Sequence, residues 1–148
     1  MSNYGTVNGG DTYFSAALGG SDWNGASEGD KLKALVSATR SIDRLVFAGD
    51  KADAAQELQF PRDDDVSVPT NVEYATYELA NYLLSGIDLE LEHRVLTEQQ
   101  SEYGDTKSQR VTNAVAANVA AGIPSIVAWR YLLPYLEQIR TVRLTRLS

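Results

Sequence analysis

The sequence contains no cysteine, one histidine (His93) and one methionine among 148 residues. The missing thiols exclude disulfides, thiolate metal sites and cysteine nucleophiles, and they fit a reducing compartment. One histidine without cysteine is a poor basis for a zinc site. His93 stands between Glu92 and Arg94 with no nucleophile signature nearby. It therefore reads as an exposed structural residue and not as the base of a Ser-His-Asp triad. Long apolar runs are missing too, so no segment reads as a membrane span. The opening MSNYGTVNGGDTYF lacks the basic-then-apolar order of a secretory signal. There is no Walker-type phosphate loop, and the Gly-Gly pairs at 9–10 and 19–20 do not match the dinucleotide fingerprint. No catalytic residue, metal or cofactor is expected, and the protein does not read as an enzyme.

What is present suits one globular domain. Hydrophobic residues make up 43% of the chain, the ordinary globular share. A chain of this length can bury roughly 70% of its unfolded surface. The net charge is -7, unevenly spread. Over 129–148, Arg130, Arg140, Arg143 and Arg146 oppose Glu137 alone, four positive charges against one negative, so the rest of the chain carries -10. An acidic body argues against nucleic-acid binding, which depends on Lys and Arg at phosphates. A basic end on an acidic body suggests a segment that reaches for a partner.

The periodicity predicts a mainly α fold: a small helical bundle of three or four main helices, with a short β-hairpin or long loop and an extended C-terminal tail. Asp11 is placed to cap a short helix running to Leu18, with Trp23 in a polar loop after it. Ser27 and Asp30 have capping-box spacing. Leu32, Leu35, Val36, Thr39, Ile42 and Val46 then form one apolar stripe, and Gly49 is a plausible stop. Residues 52–58 could add a turn of helix. Thr70 and Glu73 form a second box before a stripe of Val72, Ala75, Leu79, Tyr82 and Leu83, closed by Gly86. Residues 93–112 are polar with weak strand character, a hairpin or a loop. Ala114–Ala121 favours helix, and Pro124 suits the first position of a last helix kinked at Pro134.

Three features could carry function. Asp63-Asp64-Asp65 lacks the alternating carboxylates and the glycine of a calcium loop, so it reads as a solvated acidic loop. Tyr74, Tyr77 and Tyr82 could stack bases, but their helix carries Glu73 and Glu78 and no Lys or Arg, which favours packing. The tail interleaves Arg140, Arg143 and Arg146 with Val142, Leu144 and Leu147. An extended segment of that kind can dock on a partner.

One run of residues carries a family likeness. Tyr13-Phe14 and Trp23 precede a Ser-capped helix, then comes ALVSATRSIDRLVFAGDKADAAQELQFPR, then a proline-started helix containing YELA. Within it ATRSIDRLVFAGDK and QELQFPR are similar to the ATR-x-ID-x-L-x-F-x-G-x-K and Q-x-L-x-aromatic-P-R signature of tailed-bacteriophage head–tail connector proteins. The likeness covers residue 11 to about residue 84, and more loosely 132–136. Trp23, Arg40, Asp43, Phe47, Gly49, Phe60, Pro61 and Arg62 are the signature positions. The resemblance implies a structural virion protein at the head–tail neck, made in the host cytoplasm. Residues 1–139 would be a helical adaptor domain and 140–148 a docking tail for the portal protein. Copies of the chain would form a ring, a dodecamer by analogy, that meets a tail or stopper protein. DNA would pass through the channel without specific binding, and no membrane would be involved. Several family members carry the description DnaT-like single-stranded DNA binding, which supplies the alternative reading.

Overall fold

A computed structural model describes residues 2–87 and 117–137. The protein is mainly helical. Its elements are α1 (Val7–Ser15), α2 (Ser21–Gly25), α3 (Glu28–Asp43), α4 (Thr70–Leu84), α5 (Ile126–Leu132) and a 3₁₀ turn, η1 (Leu133–Tyr135). Residues 117–120 add a helical turn. Among the described residues there is no strand, only isolated bridges pairing Phe47 with Leu136 and Lys51 with Arg62. The segment 93–112 and the tail 140–148 lie outside the described residues.

α4 is the centre of the bundle, with α3 packed along one side and α5 along another. The reason is the apolar content of its faces. Val72, Ala75, Thr76, Tyr77, Leu79 and Ala80 are all buried, which wraps apolar surface around much of the helix. α3 buries a narrower stripe of Ala34, Leu35, Ala38, Thr39 and Ile42. Each large aliphatic chain buried there contributes roughly 1.5–3 kcal/mol. The alanines let the helices approach closely, so the bulky residues interlock across them.

α1 and α2 close the end of this pair through aromatic packing. Phe14 and Trp23 lie with ring centroids 5.6 Å apart, and Trp23 reaches Tyr77 at 6.3 Å. Gly10 permits the approach, because a Cβ there would meet the Trp23 ring at 2.3 Å.

Several local expectations change. The first helix starts at Val7, capped by Thr6, whose hydroxyl accepts from the Gly9 N–H. Asp11 is inside that helix and serves Trp23. Trp23 is a wholly buried residue of α2, not part of a polar loop. Ser27 caps α3 as expected, its hydroxyl accepting from the Asp30 N–H at 3.2 Å. Leu32 and Val46, however, are exposed. α3 ends at Asp43, so Val46 has left the helix before its stripe position comes round. Thr70 is the first residue of α4, not its cap. Pro69 holds the cap position without a side-chain hydrogen bond. Residues 52–58 form turns and no helix. Ser125 caps α5, and Pro124 lies before the cap. Pro134 ends α5 in the 3₁₀ turn and does not kink it.

Candidate nucleic-acid interface

The most sequence-distinctive part of the chain, 43–63, is an irregular loop held by side chains. Arg62 is its hub and is 8% exposed. Its Nε donates to the Ala48 carbonyl at 3.0 Å. Nη1 donates to the Gln59 carbonyl at 3.3 Å and to Gln59 Oε1 at 2.8 Å. Nη2 donates to the carbonyls of Phe47, at 3.4 Å, and Gly49. The planar fork thereby satisfies backbone that has no helix or sheet to pair with.

Asp43 holds the other edge. Its Oδ1 accepts from the Gln59 N–H at 2.9 Å and from the Tyr4 hydroxyl, which itself accepts from the Phe60 N–H at 3.1 Å. Burial first, and Asp43 second, push the Tyr4 phenol far above its ordinary value. Phe60, joined to Pro61 by a cis peptide bond, stacks edge-on against Phe47, Tyr135 and Tyr4. Asp63 adopts φ 52° and closes the turn by accepting the Asp50 N–H at 3.0 Å. Gly49 is required opposite it, since its own φ is +76° and a Cβ would strike the Asp63 carboxylate.

Thus Asp43, Phe47, Gly49, Phe60, Pro61 and Arg62 serve the fold of this chain. Trp23 does too: its Nε1 donates to Asp11 Oδ1 at 2.8 Å and its backbone N–H to Asn81 Oδ1 at 2.9 Å. Arg40 lies exposed on α3. Of the aspartate run, Asp63 is structural, and all three residues are exposed. No group of three or more His, Cys, Asp or Glu is placed to hold a metal among the described residues. His93 and the tail residues Arg140, Val142, Arg143, Leu144, Arg146 and Leu147 lie outside them.

Two surfaces have binding chemistry. The first is the outer face of α3. Lys33, Ser37, Arg40 and Arg44 recur at spacings of four, three and four and are all exposed. They run along the helix for about 16 Å. Lys33 and Ser37 also edge a recess of about 630 Å³ whose wall includes Ser21, Asp22, Ala34, Leu83 and Leu84. Arg40 and Arg44 edge a second, of about 360 Å³, with Val36 and Glu57. Carboxylates share this face: Asp22 and Asp30 line the first recess, Asp43 and Glu57 the second. Asp30 lies 3.4 Å from Lys33 in an exposed pair, Asp43 is engaged by Tyr4 and Gln59, and Glu57 accepts from the Ser2 hydroxyl. This row was not singled out from the sequence. Its signal was there, in three cations at helical spacing on the face opposite the apolar stripe.

The second surface is a groove of about 650 Å³ between α1, α4 and α5, lined by Tyr13, Tyr74, Tyr77 and Tyr131 with Glu73. Of the tyrosines expected to pack or to stack bases, Tyr77 is buried and Tyr74 half-buried in this groove. The lining includes no Lys or Arg.

Together these features define a small helical protein with two candidate binding surfaces. The chain belongs to the family described as "Putative DnaT-like ssDNA binding protein", whose model matches residues 2–124. No curated protein and no solved structure matches it.

This match overturns the head–tail connector resemblance. The portal, the self-assembled ring, the tail or stopper partner and the unspecific DNA channel go with it. The physical reason lies in the signature. Trp23, Asp43, Phe47, Gly49, Phe60, Pro61 and Arg62 are used inside the chain to hold the 43–63 loop and the α1–α2 corner, so they specify a fold and not a partner. The expectation of a virion location rested on that resemblance alone.

Proposed function

We propose that the protein binds single-stranded DNA on the outer face of α3, as a binding protein without enzymatic activity. The observation that carries the proposal is the exposed row Lys33–Ser37–Arg40–Arg44 in a chain whose family is described by that activity. Cations spaced along one helix face suit successive phosphates of a strand, and the Ser37 hydroxyl can donate to a phosphate oxygen between them. The recess beside Lys33, which Asp22 and Asp30 also line, offers room for an unpaired base against Ala34, Leu83 and Leu84. A duplex keeps its bases stacked away from such a recess, which favours the single strand.

The net charge of -7 does not forbid this. Salt screens exposed charges beyond about 8–10 Å at 0.1–0.15 M, so a strand on α3 responds mainly to the charges near it, the three cations of the row together with Asp22, Asp30, Asp43 and Glu57 of the two recesses. The distant acidic residues lower the association rate more than they oppose the contact itself.

Fluorescence anisotropy with labelled oligo(dT), and with a hairpin duplex of matched length, tests the proposal. Saturable binding that is tighter for the single strand is expected. Three phosphate contacts give a plot of log affinity against log salt a slope of about -2. Absence of saturable binding to the single strand at low salt would refute it.

A further inference from the structure

The tyrosine groove is unsuited to DNA, and its chemistry points elsewhere. Tyr13 (α1), Tyr74 (α4) and Tyr131 (α5) come from three helices and remain half-exposed. Tyr13 and Tyr74 have ring centroids 4.7 Å apart at 42°, and Tyr74 and Tyr131 are 5.8 Å apart at 67°. Hydroxyl contacts hold two of the rings, Tyr13 and Tyr131. The Tyr13 hydroxyl donates to Glu78 Oε1 at 2.7 Å and lies 3.3 Å from the Tyr131 hydroxyl. Burial, Tyr131 and Glu78 together push the Tyr13 phenol well above its ordinary value, so it stays a neutral ring with an intact π face. Glu73 sits in the same groove. Its carboxylate makes no ion pair or hydrogen bond among the described residues.

A preformed aromatic wall beside an unpaired carboxylate repels phosphate and attracts a cation. The faces of the rings carry negative quadrupole potential, and a guanidinium or ammonium stacked on them gains further from a carboxylate within reach. We propose that the groove between α1, α4 and α5 is a binding site for an organic cation, a guanidinium or alkylammonium group, held on Tyr13, Tyr74 and Tyr131 and paired with Glu73. The site does not depend on the DNA reading, since it uses a different face of the molecule and the opposite charge.

Two sources can supply such a group, a basic side chain of a partner protein or a free polyamine. The test uses the full-length chain, following tyrosine ring resonances by NMR during titration with N-acetyl-arginine amide, with spermidine, and with the uncharged isostere N-acetyl-citrulline amide. The expected result is saturable shifts of the groove tyrosines with at least one of the two cations and none with the citrulline compound. The cation that saturates at the lower concentration identifies the source. Glu73→Gln should weaken binding at least about threefold, and Tyr74→Leu, which keeps apolar volume but removes the π face, should weaken it similarly. Two outcomes would overturn the proposal. One is no saturable shift with either cation. The other is an undiminished response in Glu73→Gln together with an equal response to the citrulline compound, which would mean apolar stacking without charge recognition.

Discussion

Two surfaces flank the same central helix and are built in opposite ways. On the outer face of α3, Lys33, Arg40 and Arg44 project from a helix whose stability rests on its other side, on Ala34, Leu35, Ala38, Thr39 and Ile42. In the groove across α4, the tyrosines that face solvent are tied to one another and to Glu78, and Tyr13 also packs on Phe14 and Tyr77. A charge on the α3 face can change with little effect on folding. A phenol in the groove cannot. The same contrast separates arginines, since Arg40 and Arg44 are exposed while Arg62 spends its donors on loop carbonyls.

Removing Arg62 gives the largest expected effect and tests that contrast between arginines. In Arg62→Met the carbonyls of Phe47, Ala48, Gly49 and Gln59 lose their donor, the Phe47 carbonyl in a buried position and the others in partly buried ones. The expected cost is about 3–4 kcal/mol, a fall in Tm of roughly 10 °C. Arg44→Met should leave Tm nearly unchanged. Equal Tm losses in the two variants, by differential scanning calorimetry, would erase the distinction between structural and surface arginines.

Next in size is the triple variant Lys33→Glu, Arg40→Glu, Arg44→Glu. Losing three contacts of about 1 kcal/mol each weakens single-stranded DNA about a hundredfold and flattens the salt dependence. Its response to an organic cation in the groove should match that of the unaltered protein. Unchanged DNA affinity would move the DNA site away from α3.

Tyr13→Phe probes the other surface. It deletes one hydroxyl that donates to Glu78 and meets Tyr131, leaving the ring in place. The expected cost is about 1 kcal/mol of stability by urea denaturation, with DNA affinity intact. A stability loss near zero would mean that the phenol network does not hold the groove.

The sequence made the helical class legible because local signals agreed. Ser27 with Asp30 marked the start of α3, and Val72, Ala75 and Leu79 recurred at helical spacing. The failures are places where tertiary contacts decided. Trp23 looks like a loop residue among Ser, Asp and Asn, yet Asp11, Asn81 and Gly10 make a buried seat for it from distant positions. Thr6 outcompeted Asp11 as a cap because Asp11 has a better partner in the indole and in Lys31. Val46 fell off the stripe because α3 stopped early. The proposed DNA surface went unnoticed for a different reason. Net charge averages over the whole chain, whereas a phosphate strand samples only the charges within a Debye length. The row on α3 was readable as spacing but hidden by the sum. The tyrosine groove was half legible, since Glu73 and Glu78 already argued against nucleic acid, but Tyr13 and Tyr131 come from elements far apart in sequence.

The smallest expected effect concerns the corner that joins α1 and α2 to α3. Lys31 Nζ lies 2.7 Å from Asp11 Oδ1 and 5.4 Å from the Trp23 ring centre, so one carboxylate ties an ammonium and an indole together. Lys31 first, and the indole N–H second, hold the Asp11 carboxyl below its usual value. A depressed carboxylate contributes stability above its unfolded pKa of about 3.9, and that contribution disappears as pH falls through the lower folded value. The carboxylate is largely exposed, so solvent screens the pair and the effect is slight. In a Trp129→Phe background, where Trp23 is the sole indole, the stability of the parent should fall more steeply below pH 4 than that of Asp11→Asn. Asn can still accept from the indole but has no charge to lose. Parallel acid profiles for the two proteins would show that Lys31 does not couple to Asp11 in solution, and the α1–α3 corner would then rest on the Trp23 packing alone.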